Sequence, residues 1–99
     1  MKVIYHPEVD KTIRDLSNKE NSRVVKVVDF FESSKFLLDQ KYLKKIMKGL
    51  WELRAGRYRL LFGISGGNAI VTRLFLKKTQ KTPDREIKLA IKRLNEYEQ

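Results

Sequence analysis

The fold is decided by residues 49–77, which read GLWELRAGRYRLLFGISGGNAIVTRLFLK. Apolar and polar residues alternate along much of this stretch, and it is rich in the branched and aromatic residues that favour strands. Glycines interrupt the alternation at residues 55–56 and 65–68, which predicts two tight turns. We therefore predict three strands, at about residues 50–54, 57–64 and 69–77, that form an antiparallel meander.

The segment before this meander carries helical signals. A short apolar stretch at residues 2–5 predicts a strand, and Pro7 suits the first turn of a helix after it. Apolar residues then recur at helical spacing from Val9 to Leu16 and again over residues 21–34. These two patterns predict a helical hairpin. Residues 36–48 lack a clear period and are predicted to be a basic linker with a helical turn at residues 43–46.

A last helix is predicted after the meander. Thr82 is expected to cap it, Pro83 to occupy its first turn, and apolar residues from Ile87 to Leu94 to form its buried stripe. The element order is then β-α-α-β-β-β-α. This order predicts an α+β fold, in which an antiparallel-dominated sheet packs against the N-terminal hairpin and the C-terminal helix. Residues 1–99 are expected to form one domain, with the helices covering one face of the sheet.

The charge of the chain is concentrated in one segment. The formal net charge is +10, and residues 41–85 supply all of it, with twelve Lys and Arg against two acidic residues. A basic segment of this kind builds a local potential that attracts phosphates, which predicts a polyanionic partner.

Composition excludes several other classes of function. There is no cysteine, which rules out disulfides, thiolate metal sites and a cysteine nucleophile. The single histidine, His6, rules out a ribonuclease mechanism that needs two histidines, and its place before Pro7 is typical of a cap or turn residue. No apolar run is long enough for a membrane span. We therefore expect a cytoplasmic protein with no membrane partner, metal or cofactor.

Strand alternation predicts which side chains share a face of the sheet. If the larger apolar residues of the meander, including Trp51 and Leu60, face the helices, the opposite face carries seven other residues: Glu52, Arg54, Arg57, Arg59, Arg73, Phe75 and Lys77. Five cations on neighbouring strands repel each other unless an anion bridges them. The pattern therefore indicates a phosphate-binding surface, although the solvated face of an ordinary basic sheet would look similar.

The residues after the last predicted strand extend this surface. Lys78, Thr79 and Lys81 are predicted to bind the sugar and phosphate groups of a nucleic acid. Phe75 is predicted to stack on a base, or alternatively to fill a groove beside a helix. Tyr58 is ambiguous, because its parity points inward while its hydroxyl could reach the rim of the sheet.

Three segments together resemble the HigB branch of the RelE-type toxins, including related phage-derived proteins. They read GLWELR at residues 49–54, YRLLF at residues 58–62 and FLKKTQKTP at residues 75–83. The resemblance implies an endoribonuclease that enters the ribosomal A site and cleaves mRNA during translation, by attack of the ribose 2′-hydroxyl on the adjacent phosphate. It also implies that a cognate antitoxin, HigA-like with a helix-turn-helix domain, holds the toxin inactive.

The resemblance, combined with the chemistry of the side chains, suggests roles for individual residues. Arg59 is the first choice for stabilising the transition state, Arg54 the second, and Arg57 and Arg73 are expected to position the RNA backbone. A lysine crowded by cations has a lowered pKa, which favours Lys77 or Lys78 as the base, and strand parity selects Lys77.

Other proton-transfer roles stay open at this point. Glu52 and Tyr58 are further acid or base candidates. Some relatives use a C-terminal histidine or tyrosine, whereas this chain has only Tyr97 there, so the general acid is unassigned. We expect Arg59→Ala to abolish RNA cleavage and growth arrest with little change in the melting curve.

Two noncatalytic functions compete with this interpretation. The same basic surface would suit a module that binds RNA or DNA without cleaving it, with an affinity that falls steeply with salt. It would also suit an interaction subunit that docks an acidic protein. Cleaved transcripts would separate the enzyme from both alternatives.

Overall fold

The computed structural model describes residues 1–98, which form one mixed sheet with helices on both faces. In chain order the elements are β1 (Val3–Tyr5), α1 (Pro7–Asp15), α2 (Asn18–Ser34), β2 (Leu43–Met47), β3 (Leu50–Ala55), β4 (Tyr58–Ser65), β5 (Asn68–Leu76) and α3 (Asp84–Asn95), with a 3₁₀ turn at Lys35–Leu37 between α2 and β2. None of the helices within residues 1–98 combines the length and the apolar character needed to cross a bilayer.

The sheet has the order β1-β5-β4-β3-β2. Strand β1 pairs in parallel with β5, and the other neighbours are antiparallel. The predicted α+β class and the meander of β3, β4 and β5 are therefore confirmed. Both turns of the meander lie at glycines with positive φ, Gly56 and the pair Gly66 and Gly67, where other residues would be strained.

Local caps explain where the first two helices begin. Pro7 is the first residue of α1, and the Nδ1 atom of His6 accepts a hydrogen bond from the backbone N–H of Glu8 at 3.1 Å. The interpretation of His6 as a cap is confirmed. Ser17 caps α2 in the same way, by accepting from the N–H of Glu20, so α2 begins three residues earlier than the apolar pattern predicted.

Helices α1 and α2 cover one face of the sheet. Their apolar residues, Val9 and Phe31 among them, pack on Leu53, Leu60 and Phe62 of the central strands. Trp51 stacks on Phe62 with ring centroids 5.9 Å apart and also contacts Phe36. Trp51 therefore belongs to the core, as predicted, and is not a platform for bases.

Helix α3 lies on the opposite face, which is a correction to the expectation that all helices share one side. Ala90 packs there with Leu50, Leu61 and Phe75. A bulge between β4 and β5 leaves Thr72 without a cross-strand partner, and the Thr72 hydroxyl donates to the carbonyl of Ala90 at 2.8 Å. A buried stripe on a helix shows that the helix packs, but it does not show on which face of a sheet.

Two further local predictions were wrong. Residues 43–46 are part of strand β2, not a helical turn, because β3 supplies the backbone hydrogen bonds for this basic edge segment. Thr82 does not cap α3. The N-cap is Pro83, the helix begins at Asp84, and the Thr82 hydroxyl instead donates to a carboxylate on β3.

Candidate functional site

Helix α3 covers only part of the sheet face on which it packs. Several cationic side chains lie on the uncovered part of that face. Arg54 and Arg59 lie directly opposite each other on β3 and β4, and Lys44 lies opposite Glu52 on the neighbouring pair of strands. Directly opposed residues share a face of an antiparallel sheet. Lys77 follows β5 by one residue, close enough for the charges of Arg59 and Arg54 to lower its pKa. We refer to Lys44, Arg54, Arg59, Lys77 and Glu52 as the cationic cluster.

Glu52 is the carboxylate at the centre of this cluster and is almost fully buried. Its Oε2 atom accepts a hydrogen bond from Nε of Arg54 at 3.2 Å and lies 4.0 Å from Nε of Arg59. Its Oε1 atom accepts from the Thr82 hydroxyl at 2.8 Å, which ties the loop at residues 77–83 to β3. Glu52 therefore acts as a counter-ion that orients the arginines, while its possible role as acid or base stays a prediction.

Arg59 is held rigidly at the base of the cluster, with 9% of its surface exposed. Its Nη1 atom donates to the carbonyls of Gly56 and Tyr58, at 2.8 and 3.0 Å. Burial lowers the pKa of Arg59, Arg54 lowers it further, and Glu52 raises it.

The buried Nε–H of Arg59 has no hydrogen-bond partner within residues 1–98. An unmade hydrogen bond of this kind costs about 1–3 kcal/mol. The Oε2 atom of Glu52, 4.0 Å away, offsets part of this cost electrostatically, while Nε itself is closed to solvent and to an incoming phosphate.

Lys77 lies at the open rim of the cluster. Its backbone N–H donates to the carbonyl of Arg57 at 2.8 Å, which fixes the start of the loop. The pKa of Lys77 is lowered first by the desolvation of its ammonium group and then by the nearby charges of Arg59 and Arg54, against an opposing effect of Glu52. A lysine with a lowered pKa is neutral more often near neutral pH and can accept a proton.

Two of the predicted site residues that lie outside the cluster are held away from it by acidic residues on helices. Arg73 is on the same face, but its guanidinium is paired with Glu86 of α3 at 2.6 Å. Tyr58 is on the other face, where its hydroxyl donates to Glu20 of α2 at 2.7 Å. This hydrogen bond raises the pKa of Tyr58. The structure therefore places the Tyr58 hydroxyl on the opposite side of the sheet from the cluster, held there by α2, and its acid or base role stays an untested prediction.

Three more aromatic or basic residues also lie outside the cluster: Phe75, Arg57 and Tyr97. Phe75 is mostly buried beside Ala90, so it fills the groove next to α3 and is not a free stacking ring. Arg57 lies exposed in the turn before β4. Tyr97 follows the end of α3, and its carbonyl accepts from the Ser65 hydroxyl at the far end of β4. That end is six residues, or roughly 20 Å, from Arg59.

The predicted loop residues Lys78, Thr79 and Lys81 surround a cleft that the sequence did not reveal. The cleft has a volume of about 700 Å³ and lies between the end of β5, the loop and the first turn of α3. A smaller cavity of about 420 Å³ borders Lys44 and Arg54 on the other side of the cluster. Lys44 was missed as a site residue because its strand was missed, although the doublet Lys44-Lys45 in a basic segment was a usable signal.

The described residues offer no evident metal site. Within residues 1–98, no group of three or more His, Cys, Asp or Glu side chains is arranged to hold a metal ion.

Comparisons with known proteins agree with this architecture. The family described as "Phage derived protein Gp49-like (DUF891)" matches residues 11–95. A chain of the archaeal RelE–RelB complex from Pyrococcus horikoshii OT3 has a TM-score of 0.65 at 20% identity, over 77% of this chain and 93% of that chain. A chain of the RelB–RelE antitoxin–toxin complex from Methanococcus jannaschii has a TM-score of 0.59 at 20% identity, over 74% and 88% of the two chains. No curated protein matched the sequence.

Proposed function

Because the chain belongs to the family of phage-derived Gp49-like proteins and has a RelE-like fold, we propose that it is a toxin that cleaves mRNA on the ribosome. The observation that carries this proposal is the cationic cluster. Arg59 is pre-oriented there by its hydrogen bonds to the carbonyls of Gly56 and Tyr58, beside Arg54 and the base candidate Lys77. A site of this kind suits a single phosphodiester, whose charge increases in the transition state.

In the proposed reaction the ribose 2′-oxygen attacks the adjacent phosphorus and the bond to the 5′-oxygen breaks. Lys77 in its neutral form takes the proton of the 2′-hydroxyl. Arg59 and Arg54 donate hydrogen bonds to the phosphate oxygens and neutralise the extra charge of the phosphorane. The departing 5′-oxygen takes a proton from water, which reaches this open face. The products are a 2′,3′-cyclic phosphate and a free 5′-hydroxyl.

The partners in this proposal are the ribosome, its mRNA and an antitoxin. The two similar structures are complexes of RelE with RelB, and the second is described as an antitoxin–toxin complex. We infer that this chain is likewise held inactive by an antitoxin, of the HigA-like type with a helix-turn-helix domain. The net charge of +10 would assist entry into the ribosomal A site, where phosphates surround the mRNA.

RNA binding without cleavage is the second candidate function, and one observation favours it. Tyr97, the aromatic residue that could have served as an acid near the C-terminus, lies at the far end of β4 from the cluster. A site without a built-in proton donor for the leaving group would bind a phosphodiester more readily than it would cleave it.

Expression of the chain without its antitoxin tests the proposed function. We expect growth arrest together with transcripts cut within their coding regions, mapped by primer extension. The matched control is Arg59→Lys, which keeps the charge but loses the planar fork that holds two phosphate oxygens. Undiminished growth with intact messages would contradict the proposal, and bound but uncut RNA would favour the second candidate.

The lowered pKa of Lys77 predicts a pH dependence. The neutral amine becomes more abundant as pH rises, so the cleavage rate should increase with pH up to the lowered pKa of Lys77 and then level off. Lys77→Arg stays protonated throughout, so it should lose this increase and cleave roughly 10²–10⁴-fold more slowly. Single-turnover rates across a pH series measure both effects. Lys78→Arg, at the exposed neighbouring position, should keep the wild-type profile, and a wild-type profile in Lys77→Arg would exclude Lys77 as the base.

A further inference from the structure

The cleft beside the cationic cluster has walls of two different kinds. One wall is apolar and consists of Phe75, Leu76 and Pro83. The rim carries cations, at Lys78, Lys81 and Arg85 among others, together with the Thr79 hydroxyl; its acids are Asp84 and Glu86. Glu86 is already neutralised by Arg73. The volume of about 700 Å³ is within the range of roughly 300–1,000 Å³ that small-ligand sites occupy.

This combination of walls indicates the chemical class of the ligand. An apolar molecule would not interact favourably with the three cations, and a free phosphate would not interact favourably with the apolar wall. A nucleotide needs both, because its base is flat and largely apolar on its faces while its phosphate is anionic. Leu76 is 39% exposed, which leaves an apolar surface open to a base.

The position of the cleft links it to the cationic cluster. Phe75, which lines the cleft, is the direct cross-strand neighbour of Arg59. Thr82, which also lines the cleft, donates to Glu52 at the centre of the cluster. A chain of RNA that places one phosphate at Arg59 therefore brings an adjacent nucleotide to the cleft.

We propose that this cleft is a nucleotide subsite, in which the apolar wall contacts the base and the lysines of the rim contact the phosphate next to the cleaved bond. The inference rests on the proposed function for its biological meaning. It predicts binding of single nucleotides independently of any cleavage.

Titration of the isotope-labelled protein, followed by NMR, tests this subsite. Each of the four ribonucleoside 5′-monophosphates is compared with ribose 5-phosphate, which lacks the base. We expect the nucleotides that fit to bind at least about fivefold more tightly than ribose 5-phosphate, with shift changes centred on residues 75–86. Leu76→Ser should reduce this ratio, whereas Lys81→Ser should weaken the nucleotides and ribose 5-phosphate alike.

Leu37→Ser is the matched control, because Leu37 is 92% exposed and lies outside the cleft, before β2. Equal affinities for nucleotides and ribose 5-phosphate, shift changes away from residues 75–86, or an unchanged ratio in Leu76→Ser would overturn the subsite. Failure of the proposed function looks different. In that case nucleotides bind in the cleft, but mRNA on the ribosome stays intact.

Discussion

Replacing Arg59 with lysine will lower RNA cleavage by at least about 100-fold while the protein stays folded. Lysine keeps the positive charge, but it lacks the planar fork of donors that a guanidinium presents. The loss therefore reports the geometry of the guanidinium and not the charge alone. The measurement is the single-turnover rate on RNA, together with a thermal melt of each variant.

Arg57→Lys is the control for this experiment, since Arg57 is exposed in the turn before β4 and, among residues 1–98, its side chain takes part in none of the hydrogen bonds or ion pairs described for the cluster. We expect it to cleave within a few fold of the wild-type rate. A folded Arg59→Lys protein that cleaves as fast as Arg57→Lys would remove Arg59 from the reaction.

Arg59→Ala is a less suitable variant than the sequence suggested. Its melting curve was expected to stay nearly unchanged, but Arg59 is 9% exposed and donates to the carbonyls of Gly56 and Tyr58. Loss of these donors should cost about 1–3 kcal/mol. A lower melting temperature is therefore expected, and lost activity in this variant would not separate chemistry from folding.

Gly63→Ala will produce the largest loss of stability expected from adding a single methyl group. A Cβ atom at position 63 would overlap Cδ2 of Leu94 and would lie 2.9 Å from the carbonyl oxygen of Gly49. The backbone oxygen cannot rotate away as a side chain can, so α3 or β3 must shift. Overpacking of this kind typically costs about 1–3 kcal/mol, or roughly 4–8 °C in melting temperature for each kcal/mol in a domain of this size.

A double variant identifies the source of this cost. Leu94→Ala alone should destabilise the protein by leaving a cavity, but in combination with Gly63→Ala it removes the overlap with the Leu94 side chain, while the contact with the carbonyl oxygen of Gly49 remains. We expect the double variant to be less destabilised than the two single effects added together. An unchanged melting temperature in Gly63→Ala would show that α3 does not pack as closely on β4 as described.

The parts of the fold that follow from local pattern could be predicted. Alternation and turn glycines are properties of neighbouring residues, so β3, β4 and β5 were placed within one or two residues. Strand β2 could not be placed, because its sequence LKKIM has no alternation and only its pairing with β3 makes it a strand. The sheet face on which α3 packs could not be predicted either, since its contacts with the sheet involve the bulge at Thr72 and the close approach at Gly63.

The same distinction applies to the candidate site. Parity along two adjacent strands was enough to place Arg54 and Arg59 side by side. The hydrogen bonds that hold Glu52 in the site, or hold Arg73 and Tyr58 away from it, come from distant elements. Thr82 donates to Glu52, Arg73 donates to Glu86, and Tyr58 donates to Glu20. These contacts depend on the paths of a loop and two helices, which no local pattern in the sequence encodes.

The most direct test uses the purified chain with translating ribosomes and a defined mRNA. We expect cuts within the mRNA that leave a 2′,3′-cyclic phosphate and a 5′-hydroxyl, that require the ribosome, and that nearly vanish with Arg59→Lys. An mRNA that stays intact while the folded chain is bound to the ribosome would contradict the proposed cleavage.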